Sequence, residues 1–86
     1  MLSDGTGRNM RITVTLEQGN NIISVIVDEN RKISDVIKEL HINGYLPNNA
    51  KSFMRSTVQE RVISTNNSFR EEGIFSGDKI TEIAET

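Results

Sequence analysis

The sequence predicts an α+β domain of two layers, a mixed four- to five-stranded sheet packed on one main helix. Three observations carry that prediction. The stretch "MRITVTLEQ" alternates apolar and polar residues, "KISDVIKEL" spaces its apolar residues as a helix does, and short apolar-rich segments return in the second half of the chain.

Residues 1–9 mix Gly, Ser, Thr, Asp and Asn with few others and show no period. They read as a disordered lead-in or a non-native remnant, which leaves one domain over residues 10–86. Gly5 and Gly7 do not make a nucleotide loop, because no strand precedes them and the third glycine position is Met10. From there Met10, Ile12, Val14 and Leu16 alternate with Arg11, Thr13, Thr15 and Glu17, the period of a strand with one buried face. "QGNN", Gln18 to Asn21, supplies residues that tolerate positive φ, and the β-branched run "IISVIVD" completes a hairpin. In that run Ile23, Val25 and Val27 face one way and Ile22, Ser24 and Ile26 the other. Isoleucine stands on both faces, so periodicity alone leaves the inner face of the second strand open.

After "DENRK" the period changes. Ile33, Val36, Ile37 and Leu40 form one stripe at i, i+3, i+4 and i+7, with Ser34, Asp35, Lys38 and Glu39 on the solvent side. Gly44 stands where a left-handed C-terminal residue is expected and Pro47 lies just beyond, so the helix is placed from Lys32 to Asn43. "KSFMRST" and "ERVIS" read as short strands around a turn near Val58 to Glu60, "TNNS" as a polar loop, "SFREEGIFSGD" as a short helical turn and a loop, and "KITEI" as the last strand.

Bulk properties narrow the function. A chain of 86 residues forms one marginal core, which buries roughly 60–65% of the unfolded surface. A net charge of −2 gives no electrostatic pull toward nucleic acid or an anionic membrane. The absence of cysteine removes disulfides, thiolate catalysis and cysteine zinc sites together. No apolar run is long enough to span a bilayer and "MLSDGTGRN" has no signal-peptide core, so a cytoplasmic protein without membrane insertion is expected.

From Met10 to Ile83 the order of elements resembles the β-grasp of the ubiquitin superfamily. The marks are the "RITVTLEQGN" hairpin, the helix stripe, and "SFREEGIFSGDKITEI", in which Phe69 and Ile74 act as core plugs. Within the superfamily the chain is most similar to the YukD/EsaB family, small bacterial proteins encoded beside type VII secretion systems. Those end in a similar "GI-x-x-GD-x-(I/L)" run, here Gly73, Ile74, Gly77, Asp78 and Ile80. Conjugating ubiquitins and sulfur carriers end in two glycines, whereas this sequence closes on Ala84, Glu85 and Thr86, so a modifier or carrier role is not expected. The resemblance implies a non-enzymatic accessory or regulatory protein of a type VII system, with membrane-embedded components of that machinery as partners. A ubiquitin-like adaptor or assembly domain of another system, or of a larger membrane secretion protein, is the alternative.

No catalytic, cofactor-binding or metal-ligating pattern competes with that reading. His41 is the sole histidine and ends the helix, while Asp35 lies six residues earlier, about 240° round the helix, so the two do not share a face. A satisfied or solvent-exposed place at the helix end explains His41, and Asp78 after Gly77 is expected to shape a turn. Strands can bring Lys51, Arg55, Arg61 and Arg70 together as a patch for an acidic partner, but Glu60, Glu71 and Glu72 are interspersed, which favours a solvated mixed-charge face. Nucleic acid is not an expected partner, since the core is expected to claim the one Tyr and three Phe that could stack on bases.

The outer face of the sheet is the expected protein-binding site. In the β-grasp the second strand is an edge and the first and last strands are central neighbours. With Ile12, Val14, Leu16, Ile23, Val25 and Val27 inward, Thr13, Thr15, Ile22, Ser24 and Ile26 face out as a small apolar patch bordered by threonines. Ile80 and Ile83 point to opposite faces, so one of them can join it. Nothing in the sequence forbids a homodimer through the second-strand edge.

Overall fold

The computed structural model of the chain describes residues 10–83; the lead-in over 1–9 and the closing Ala84, Glu85 and Thr86 lie outside the described residues. Six elements follow in the predicted order: β1 Arg11–Gln18, β2 Asn21–Asp28, α1 Ile33–Ile42, β3 Phe53–Ser56, β4 Arg61–Ser64 and β5 Lys79–Thr81. They make a five-stranded sheet in the order β2-β1-β5-β3-β4. β1 and β5 run parallel at its centre while the other pairs are antiparallel, so β2 and β4 are the edges.

Alternation sets the inner face. Ile12, Val14 and Leu16 of β1, Val27 of β2, Met54 of β3, Ile63 of β4 and Ile80 of β5 are buried. Against them pack Ile33, Val36 and Ile37 of α1, with Leu46, Phe69 and Ile74 from the loops, and with Ile23, Val25, Leu40 and Ala50 partly buried around them. Burial of each large side chain stabilises the fold by about 1.5–3 kcal/mol, and this cluster is the core of the described residues. It also settles the face left open in the sequence: in β2, Ile23, Val25 and Val27 turn inward.

The helix takes its limits from both ends. No side chain caps its start; instead the N–H groups of Ile33 and Ser34 donate to the carbonyls of Asn67 (3.0 Å) and Thr65 (2.8 Å) in the loop after β4. At the other end Gly44 adopts φ 85°. Its N–H donates to His41 C=O at 3.1 Å and the N–H of Tyr45 to Leu40 C=O at 2.8 Å, a Schellman closure. The stretch "SFRE" starts the turn before β5 as a capping box: the Ser68 N–H donates to Glu71 Oε1 (2.8 Å) and the Glu71 N–H to Ser68 Oγ (3.0 Å).

Two expectations are corrected. Gln18 is not a turn residue but the buried last residue of β1. Its amide holds the backbone of Asn48 from both sides, Nε2–H to the Asn48 carbonyl at 2.8 Å and the Asn48 N–H to Oε1 at 2.9 Å, which ties the hairpin to the segment after α1. Nor does the core claim the aromatic residues: Phe69 is buried, but Tyr45, Phe53 and Phe75 are exposed. Phe53 alternates with buried Met54 and so falls on the outer face, while Phe75 sits in the loop before β5.

Candidate interaction surface

The outer face is built by the residues that alternate with the core. The register puts Thr13 opposite Ile26, Thr15 opposite Ser24 and Glu17 opposite Ile22, and β5 then sets Lys79 beside Thr15 and Thr81 beside Glu17. Beyond β5, Thr81 meets Arg55, Arg55 meets Val62, and Phe53 meets Ser64. All five sequence-predicted binding residues therefore share one face and one end of it.

Their exposure differs. Ile22 and Ile26 are 60% and 70% exposed, far more than strand isoleucines that pack on a neighbour. Thr13 and Ser24 are exposed as well, whereas Thr15 is half-buried. Thr15 Oγ1 and Ser24 Oγ lie 2.9 Å apart and share a hydrogen bond across the strands. The backbone of Thr13 is fixed from the β5 side, its N–H donating to Ser76 Oγ (3.0 Å) and its carbonyl accepting from the Gly77 N–H (2.7 Å).

Charge divides the face. Lys79 Nζ and Glu17 Oε1 are 2.9 Å apart over the central strands, and with Thr81 and Arg55 they form a polar ridge. On its far side lies a second apolar group that the sequence reading missed, Phe53 and Val62, both exposed. The alternation of "FMRS" and "RVIS" around Met54 and Ile63 carried the signal, since a buried Met54 and Ile63 leave Phe53 and Val62 no place but outside.

Elsewhere several polar groups do structural work. Asp78 is buried, and its carboxylate reaches across to the β3–β4 turn rather than shaping its own. It accepts from Ser56 Oγ–H (2.6 Å), Val58 N–H (3.3 Å) and Lys79 N–H (2.7 Å), and Ser56 Oγ in turn accepts from Gln59 N–H. His41 Nδ1–H donates to the Leu46 carbonyl at 3.0 Å, the satisfied helix-end role expected of it. The basic residues of the second half mix with acids: Lys51 pairs with Glu82 at 3.8 Å and Arg61 with Glu72 at 3.3 Å. On the solvent side of α1, Arg31 and Glu39 are paired at 3.0 Å in an open depression. Among the described residues no group of His, Cys, Asp and Glu is arranged to hold a metal ion, and no helix is long and apolar enough to cross a membrane.

No family model matches the chain, and no curated protein matches it. Solved structures do. The ubiquitin-like domain of Arabidopsis thaliana protein At2g32350 is similar with a TM-score of 0.68 at 16% identity, over 100% of this chain and 88% of that one. The N-terminal ubiquitin-like domain in the 4931431F19Rik protein gives 0.64 at 18% identity, over 100% and 90%. The EccD5 ubiquitin-like domain from Mycobacterium xenopi gives 0.51 at 22% identity, over 90% and 99%. Identities this low speak to architecture alone, and with the strand order and the crossing helix they make this chain a ubiquitin-like β-grasp domain.

Proposed function

We propose that this domain is a non-enzymatic accessory or regulatory subunit of a bacterial type VII secretion system, acting in the cytoplasm by docking its outer sheet face on membrane-embedded components of that machinery. The observation that carries the reading is the exposure of Ile22 and Ile26 on one regular strand, flanked by Thr13, Thr15 and Ser24, in a domain whose core is already closed. Apolar side chains held outward on a rigid sheet suit a protein partner. The resemblance of the "GIFSGDKI" run to the YukD/EsaB family supports the choice of system, and the likeness to the EccD5 ubiquitin-like domain supports the fold on which that resemblance rests. In the rival reading the same fold serves as an adaptor or assembly domain of another system or of a larger membrane secretion protein.

The test is an affinity capture from membrane extract of the native host with partners identified by mass spectrometry, using the wild type, Thr13→Arg and Phe53→Asp side by side. Thr13 and Phe53 are both exposed, so neither change disturbs the core. The proposal expects secretion-machine subunits with the wild type and Phe53→Asp and their loss with Thr13→Arg. Loss with Phe53→Asp alone moves the site to the far side of the ridge, and capture of no secretion component by any form removes the assignment.

A further inference from the structure

We propose that the chain forms a symmetric homodimer in which β2 pairs antiparallel with β2 of a second copy, centred on Ser24, so that two five-stranded sheets continue as one. This rests on the β2 edge and is independent of the function proposed above.

The edge is defined by where backbone groups point. On β1, Thr13 and Thr15 give their N–H and C=O groups to the β5 side: Thr15 N–H to Asp78 C=O at 3.0 Å, and Thr13 C=O to Gly77 N–H at 2.7 Å. Their partners on β2, Ile26 and Ser24, are therefore the unbonded positions of the β1–β2 ladder. The N–H of Glu29 donates to Met10 C=O at 2.9 Å, which fixes the same phase at the far end of the hairpin. Ile22, Ser24, Ile26 and Asp28 thus direct their backbone donors and acceptors off the side of the sheet.

What this edge lacks is as telling. β2 runs eight residues in unbroken register with β1, without a bulge, and from Asn21 to Val27 it has no proline and no charge. These are the devices that keep strand edges from pairing. Apolar exposure also continues round to its inner side, where Ile23 and Val25 touch the core but are only partly covered.

The strand complements itself in one register. With Ser24 opposite Ser24 of the copy, Ile22 lies opposite Ile26 and Ile26 opposite Ile22, all at hydrogen-bonding positions, so the pair exchanges about six backbone bonds. On the inner side Ile23 comes opposite Val25, and Asp28 meets the uncharged Asn20 rather than another acid. Shifting the register by two sets the isoleucines at Ile22 or Ile26 against Ser24 or Asp28 instead. In the favoured register the four outward isoleucines of the two copies form one continuous patch.

Because residue 24 opposes itself, charge tests the register directly. Sedimentation equilibrium of the full chain over a wide concentration range should reach twice the 9.7 kDa protomer mass. Ser24→Lys and Ser24→Glu should each weaken dimerisation, by up to about fivefold from the cross-strand pair alone, since like charges directly opposed in adjacent strands repel. Mixing the two variants should restore a dimer containing one of each. Circular dichroism of each variant checks that the fold is kept, and Ile26→Lys, which puts a charge against Ile22 of the copy, gives the same loss by an independent change. A wild type that stays monomeric overturns the proposal, and so does a dimer that Ser24→Lys leaves intact or that mixing fails to restore.

Discussion

The two edges of this sheet are made differently. β2 is eight residues long and held to β1 along its whole length, so its own ladder secures it. β4 is four residues long and begins with Arg61, whose guanidinium binds Gln59 Oε1 at 2.7 Å, Glu72 Oε1 at 3.3 Å and the Glu72 carbonyl. Gln59 Nε2–H also donates to the Gly73 carbonyl at 2.8 Å. The β4 edge is short, and its charged first residue is tied to the next turn, as in protected edges; β2 is long and uncharged from Asn21 to Val27. A sheet that blunts one edge and leaves the other regular has kept the second available for pairing.

The sharpest way to break this comparison is proline, which tests where each β2 amide points. Val25 pairs with Val14 at a bonded position, so Val25→Pro removes a ladder bond in the middle of the hairpin and sets its ring against β1, the largest loss expected of these changes. The total is only roughly 4–13 kcal/mol for 86 residues, so the loss is felt by the whole domain. Ser24→Pro, one residue away, removes only an outward N–H and costs about 1 kcal/mol or less. Urea denaturation of dilute protein measures both. Equal damage from the two would mean that the Ser24 amide is not at the edge.

A smaller effect is expected at the other edge, where a buried polar network stands in for strand length. Asp78→Ala strips Ser56 Oγ and the Val58 N–H of their acceptor beneath the β3–β4 turn. The expected loss is about 2–3 kcal/mol, the range for hydrogen bonds to a charged acceptor and for leaving buried donors unpaired. Hydrogen exchange should show it locally, with the amides of residues 53–64 losing protection before those of β1 and β2. Uniform loss over the whole sheet would mean that Asp78 supports the core rather than this hairpin.

The sequence was legible where one residue type had one physical reason to be where it is. Period-two alternation put Ile12, Val14 and Leu16 inside, the i, i+3, i+4 stripe put Ile33, Val36 and Ile37 against them, and Gly44 closed the helix because φ 85° suits glycine. The edge place of β2 and the central pairing of β1 with β5 followed from the β-grasp resemblance. Legibility ended where a partner distant in sequence decides. Gln18 looks like a turn former until Asn48 is brought to it, and the helix start is capped by Thr65 and Asn67, which no local pattern announces. Aromatics mislead for a related reason. Phe53 obeys its strand's alternation rather than its own hydrophobicity, so an aromatic expected in the core stands with Val62 as an apolar group on the outer face.

The smallest predicted effect sharpens the contrast at the hairpin turns. Both turns use a left-handed residue: Gly19 at φ 57° joins β1 to β2, and Glu60 at φ 55° leads into β4. Glycine takes that conformation without strain, while a glutamate there costs on the order of 1 kcal/mol from the contact of Cβ with the backbone. Glu60→Gly relieves the strain but gives the unfolded chain more freedom, so the net gain is at most about 1 kcal/mol; Glu60→Asn tolerates the same φ with less of that loss. The midpoint of chemical denaturation should therefore rise slightly in both variants with its slope unchanged. A fall in both would mean that the Glu60 side chain holds the short hairpin through its own contacts, and that the β4 edge is secured by its turn as well as by Arg61 and Asp78.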